Sequence, residues 1–331
     1  MKNRSNTLNL NFLKRREVLV AGVIILIMAI MGCTSKTFLT IDNLMGVALG
    51  LSADGFLALA MTFILISGQI DLSVGAVQCF ASMLIGTLYI YQGVNIWVAV
   101  GIALIGCLLC GAITGTVISK LHIVPFIITL GMQGVIRGLC YVVSSGISIP
   151  ITGESVRAFK ELGSGYMGKV PIFFLLLIGA ALICQLLLSK TRFFAKVYFT
   201  GSNAKAAEMA GIRVERVKII LYMISALLAC CAGILSTARF GVSSPTLGLQ
   251  AESRAITAAV IGGTTMSGGE GTVVGTMLGL IMIHLFTNAL IQWGVSVYWQ
   301  DFASYALLIV VIVFDTISKR NRSSRLKIKK V

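Results

Sequence analysis

Residues 44–66 read LMGVALGLSADGFLALAMTFILI, a run of apolar and small residues interrupted by one charge, Asp54. A helix needs about 20 such residues to cross the hydrocarbon core of a bilayer, so this run alone predicts a membrane span. Working outward, nine further apolar segments fall near 18–32, 72–90, 96–119, 124–143, 170–189, 218–238, 255–266, 271–290 and 301–317. The segment from Ala255 to Met266 is too short to cross by itself. It reads as a tilted half-helix or re-entrant piece, tolerable only where protein surrounds it. The expected fold is an all-α integral membrane protein of about ten transmembrane helices, some short or broken.

Composition agrees. Hydrophobic residues make up 57% of the chain and charged residues 12%, and mean hydropathy is +0.94. A soluble domain carries about 25% charged residues on its surface, so most of this surface faces lipid. Glycine is abundant, with 35 residues, as in membrane helices that pack closely through bare backbone. Lys14-Arg15-Arg16 before an apolar run ending at Gly32-Cys33 resembles a lipoprotein signal, but the apolar segments that follow favour a retained first span. The eight cysteines lie in or beside apolar stretches without His/Cys ligand spacing and read as small core hydrophobes, with no metal or cofactor implied.

Charge sets the orientation. Twenty of the 27 basic residues fall in the N-terminal tail, the C-terminal tail, the 190–218 connection and at Lys120. By the positive-inside rule these face the cytoplasm, which places both termini there and requires an even number of crossings. The domain plan is a tail over 1–17, one transmembrane domain over 18–317 and a basic tail over 318–331. Lys36, Arg157, Lys160, Lys169, Arg239 and Arg254 are assigned to the opposite side, and Arg137 lies within a span. A net charge of +15 distributed this way is an orientation signal, and no basic–aromatic motif points to nucleic acid.

Within the 190–218 connection, Lys205, Ala206, Ala207, Glu208, Ala210 and Gly211 read as a short helix ended by glycine. The three alanines give it a nearly bare face that another protein's groove can approach. Three other stretches are distinctive: Ser67-Gly68-Gln69-Ile70-Asp71-Leu72-Ser73-Val74-Gly75; Pro125-Phe126-Ile127-Ile128-Thr129-Leu130-Gly131 with Arg137-Gly138; and Val260-Ile261-Gly262-Gly263-Thr264 with Ser267-Gly268-Gly269-Glu270-Gly271-Thr272-Val273-Val274-Gly275-Thr276. The first resembles the SGGIDLSVG signature of ribose/galactose-type permeases of ATP-driven importers, with Gln69 for the second glycine. The last resembles that family's second Gly-rich signature, and Ala206-Ala207 with Ala210-Gly211 resembles its coupling motif, with Lys205 where Glu is usual. Arg137-Gly138 through Ile149-Pro150-Ile151 and the Trp299 region look closest to galactofuranose-type permeases. The resemblance implies a bacterial inner-membrane permease working with a second copy or a homologous permease, cytoplasmic ATP-binding subunits and an extracytoplasmic sugar-binding protein.

Read from the residues, Asp71 suits the N-cap of the following helix, since a buried carboxylate needs N–H partners. Ser67-Gly68 and Val74-Gly75 recur 200 residues later, a trace of internal duplication. Gly271, Gly275 and Gly279 make a GxxxGxxxG stripe and Gly111/Gly115 a GxxxG pair, both suited to packing within the subunit. Gln133 with Arg137, and His284 with Asn288 and Gln292, form polar stripes that either line a sugar path or satisfy one another. No phosphate loop of the form GxxxxGK[ST], GxSxG or HExxH occurs, so no enzyme is expected. An ion-coupled secondary transporter is the alternative, and its carboxylates would be Asp54, Asp71, Asp301 and Asp315.

Overall fold

The computed structural model describes residues 16–300 with residues 302, 303, 305, 306, 309, 310 and 313. The tails before residue 16 and after residue 313, and most of the segment near 301–317, lie outside the described residues. Eight helices are long and apolar enough to span: α1 (Arg16–Thr34), α2 (Ile41–Ile66), α3 (Val74–Gln92), α4 (Ile96–Leu121), α5 (Pro125–Ser144), α7 (Ile172–Lys190), α10 (Val214–Phe240) and α12 (Val273–Gln292). Each coincides with an expected segment. Local chemistry starts them: Thr40 accepts from the Asn43 N–H, Asn95 from Trp97 N–H and Thr272 from Gly275 N–H, while Pro125 opens α5.

At the centre is α2, whose stretch from Leu57 to Ile66 is buried on every side. Around it pack α7, α10, α12 and the short helix α11 (Ala251–Ile261), with α3 and α4 continuing the layer across α10. The outer faces of α1, α4, α5 and α7 expose Ile25, Ile105, Val135 and Leu182, the arrangement of a protein solvated by lipid. The Cys107-Leu108-Leu109-Cys110 pair lies inside α4, both thiols free, with Cys107 buried against the Val77 carbonyl. Among the described residues no metal-ligand cluster occurs.

The short eighth segment is α11 (Ala251–Ile261), eleven residues and about 16 Å long. Its Arg254 meets Asp54 at the middle of α2, so α11 starts at mid-depth. Residues 244–250 lead down to it from strand β4 (Val242–Ser243), and its far end joins the 262–272 turn beside α2's C-terminus. Coil and half-helix together run the distance from β4 to the 262–272 turn.

The sequence left the 144–171 connection without structure, yet it is ordered. Strand β1 (Ile149–Pro150) pairs antiparallel with β4, and β2 (Tyr166–Met167) with β3 (Val170–Pro171). Helix α6 (Arg157–Ser164) lies between them, Gly163 backed directly on the Leu235 carbonyl and Arg239 N–H of α10. Tyr89 donates to the Thr152 carbonyl (3.0 Å) and Trp97 meets Phe159 edge-on, so α3 and α4 anchor this cap.

Candidate functional site: a glycine junction and a polar centre

Between α7 and α10 the chain forms α8 (Arg192–Ser202) and α9 (Ala204–Met209). Asn203 caps α9 by accepting from the Ala206 N–H (3.0 Å), and Gly211 at φ +81° ends it, a conformation that side chains disfavour. Lys205, Ala206, Glu208, Ala210 and Gly211 are exposed, as is Met209. Ala207 is not on that face: it turns inward and is buried, because a six-residue helix on a protein surface must give one side to its support. Beside α9 a cavity of about 260 Å³ is lined by Gln69, Ser119, His122, Glu208, Glu215 and Lys218.

The α8 helix was not anticipated, and it connects α9 to the signatures. Phe194 packs against Phe63 of α2 with ring centroids 4.6 Å apart, and the Tyr198 hydroxyl donates to the Gly271 carbonyl (2.6 Å). Burial raises the Tyr198 phenol's pKa, so it stays a donor. Gly201 then touches backbone directly: a Cβ there would sit 1.8 Å from the Ile66 carbonyl oxygen and 2.8 Å from the Gly269 nitrogen. Gly68 and Gly268 close the same junction, a Cβ on Gly268 falling 2.8 Å from the Gly68 nitrogen, and Gly269 N–H donates to the Ile66 carbonyl (2.8 Å). The two Ser-Gly repeats thus meet each other under α8. The following Val-Gly pairs correspond as well: Val74-Gly75 opens α3 and Val274-Gly275 lies in the first turn of α12.

The remaining signature residues hold the half-helix in place. Gly262 and Gly275 approach backbone to backbone, Gly279 rests on the Ala258 carbonyl, Gly271 fits beside Thr264, and Gly263 turns the chain at φ +98°. The glycine stripe of α12 therefore lies against α11 in the same subunit, and Gly111/Gly115 of α4 against Tyr222 and Ile219 of α10. Asp71 is not itself the N-cap of α3. Ser73 takes that position, while Asp71 accepts from the Ser73 N–H (2.9 Å) and hydroxyl (2.6 Å) and from Ser225 of α10 (2.8 Å). A carboxylate bonded to both α3 and α10 fixes where the extended entry ends.

At mid-depth, α11 carries charges on two faces. Arg254 grips Asp54 through Nε (3.0 Å) and Nη2 (3.2 Å), with His284 Nε2 3.3 Å from the same carboxylate. Arg254, assigned from the sequence to the extracytoplasmic side, is a mid-depth residue because α11 begins four residues earlier than its apolar run. Below the cap on the same seam, Asn288 and Asn43 exchange amide bonds (3.0 Å each) and Gln292 accepts from Ser35 and Thr37. All three residues of the α12 stripe thus have partners in the subunit. On α11's other face Glu252 accepts from Gln133 (3.0 Å), and Arg137 donates to the carbonyls of Pro245 and Leu247. Glu252 was missed; two charges in Ala251-Glu252-Ser253-Arg254, just ahead of an apolar run, were the available signal.

Eight membrane-length helices and a half-helix folded among them make a multi-pass α-helical membrane protein. Residues 43–312 match the family described as branched-chain amino acid transport system / permease component, and the chain belongs to that family. It is similar to the ribose import permease protein of Bacillus subtilis (strain 168), 36% identical over 295 residues, covering 89% of this chain and 90% of that protein. The ribose import permease protein of Haemophilus influenzae is 30% identical over 318 residues, 95% and 97% of the two chains. The L-arabinose transport system permease protein of Escherichia coli (strain K12) is 31% identical over 278 residues, 84% of each. No solved structure matches the chain.

Proposed function

We propose that the chain is the membrane-spanning subunit of an ATP-driven sugar importer in a bacterial inner membrane, passing a monosaccharide of the pentose class inward. The carrying observation is the 36% identity with a ribose import permease across nine-tenths of both chains. The family description speaks of amino acids, but the ribose and arabinose relatives align over more of the chain's length. Their ribose and arabinose names favour a pentose over the galactofuranose likeness of residues 137–151 and the Trp299 region.

The geometry supplies a route for coupling. ATP-binding subunits engage α9 and the cavity beside it, and closure of those subunits displaces α8. Because Gly201 bears on backbone at Ile66, Gly68 and Gly268 with no side chain between, the displacement reaches α2 and the 262–272 turn without being absorbed by rotamer changes. From that turn it passes to α11 and α12, which rock against α2 about the Asp54–Arg254–His284 contact. An extracytoplasmic sugar-binding protein docks on the β1–β4 cap, and a second permease copy or a homologue completes the pathway. The chain contributes no hydrolysis of its own.

The test is purification of the tagged chain from its native membrane in mild detergent, with identification of what accompanies it. An ATP-binding subunit present with the wild type and lost when residues 204–211 are replaced by a Gly-Ser linker supports the reading. Isolation of the chain without one, with solute uptake driven by an ion gradient, would establish the secondary transporter instead.

A further inference from the structure

Three buried polar atoms at the polar centre have no protein partner: Oε1 of Gln78 on α3, Nη2 of Arg137 on α5 and Oε2 of Glu252 on α11. Their residues are 3%, 9% and 8% exposed, so water outside the protein does not serve them, and each would cost about 1–3 kcal/mol left unsatisfied. Each of these side chains is held by another of its polar atoms: Nε2 of Gln78, Oε1 of Glu252 and Nη1 of Arg137. Gln78 donates to Ser236 (3.3 Å), Glu252 accepts from Gln133 (3.0 Å) and Arg137 holds the loop at Pro245 and Leu247. The three residues are thus held in place while a buried polar atom of each stays unpaired.

The spare acceptors converge. A Cβ on Gly75 would lie 2.8 Å from Glu252 Oε2 and 2.3 Å from the Gly248 carbonyl, and a Cβ on Gly248 would lie 2.6 Å from Gln78 Oε1. Both acceptors therefore flank the contact where the start of α3 meets the loop entering α11, and Arg137 pins that same loop. One neutral acceptor, one carboxylate acceptor and one guanidinium donor do not suit an anion, which Glu252 repels, nor a cation, which Arg137 repels. They suit hydroxyl groups, each of which donates and accepts.

Resting on the reading of the chain as a sugar permease, we propose that Gln78, Arg137 and Glu252 form a hydroxyl-binding site for the transported sugar where α3 meets the start of α11. Bonds to so few atoms hold a polyol weakly, as release into the cytoplasm requires. The site opens and closes with α11, which carries Glu252 toward it and Arg254 toward Asp54.

The experiment uses the full transporter in proteoliposomes, with the binding protein outside and ATP inside. Uptake of D-ribose and of its single-deoxy analogues is measured for wild type, Glu252→Gln and Gln78→Met. Dividing each variant's uptake by wild-type uptake for the same sugar cancels the binding protein's own preferences. The expected result is a roughly tenfold loss for D-ribose and a much smaller loss for one analogue, whose missing hydroxyl is the one each variant abandons. Equal losses for every sugar, or none, in variants that elute and melt like wild type would overturn the site and mean that it holds water only. If Glu252→Gln does not insert, the Gln78→Met comparison decides alone, since it keeps length and volume. Wild-type vesicles that take up no sugar with ATP would instead refute the reading on which the site rests.

Discussion

Gly201→Ala is the smallest change that loads the coupling junction. In a helix alanine is favoured over glycine by up to about 1 kcal/mol, so a position free of contacts would gain stability. Here the new Cβ would lie 1.8 Å from the Ile66 carbonyl oxygen, and that oxygen is backbone, with no rotamer to relieve it. Reaching even a tight carbon–oxygen contact requires α8 to move by more than about 1 Å. Overpacking of this kind costs about 1–3 kcal/mol, which outweighs the propensity gain. The expected variant melts lower in detergent, retains ATP hydrolysis in the assembled transporter, and carries less sugar per ATP. Gly134→Ala, at a helical glycine with nothing within 4 Å, serves as the control and keeps wild-type coupling. Melting temperature and sugar-per-ATP ratio are read in the same preparations. Gly201→Ala with both values at the wild-type level would refute the claim that α8 acts through backbone contact.

Asp54→Asn and Arg254→Gln each strand a partner at mid-depth, so the double variant loses less than the sum of the singles. The interaction energy expected from a thermal-denaturation cycle is about 0.5–3 kcal/mol, and strict additivity would dissolve the latch between α11 and α2. Gly262→Val places bulk against the Gly275 carbonyl, 2.1 Å from the new Cβ, and is expected to abolish the folded monomer on size exclusion. Tyr198→Phe removes one hydroxyl bond to the Gly271 carbonyl and costs about 1 kcal/mol, with transport reduced more than insertion; unchanged melting would mean that the bond contributes nothing. Asn203→Ala uncaps α9 at about 1 kcal/mol of local stability, measured as faster hydrogen exchange confined to residues 204–211.

The spans were legible because hydropathy over some 20 residues is a strong signal, and 44–66 alone carries it. The half-helix was also legible, since Ala255 to Met266 is visibly too short. Its true start was not, because Glu252 and Arg254 read as loop charges until partners on α5 and α2 are known. The cap at 149–171 was hidden for a different reason: two-residue strands have no periodicity, and β1 finds β4 more than 90 residues away. Asp71's role depended on Ser225, a residue of unremarked type in the middle of α10. The Gly-rich signatures stood out as patterns, but Gly201, which joins them, sits in an ordinary Thr200-Gly201-Ser202 stretch.

The account's central claim is tested most directly by uptake into proteoliposomes holding this chain, its ATP-binding subunits and the binding protein. D-ribose accumulation that requires ATP, and that disappears when residues 204–211 become a Gly-Ser linker while the chain stays inserted, is the predicted result. Accumulation driven by a proton or sodium gradient, indifferent to ATP and to that replacement, would contradict it.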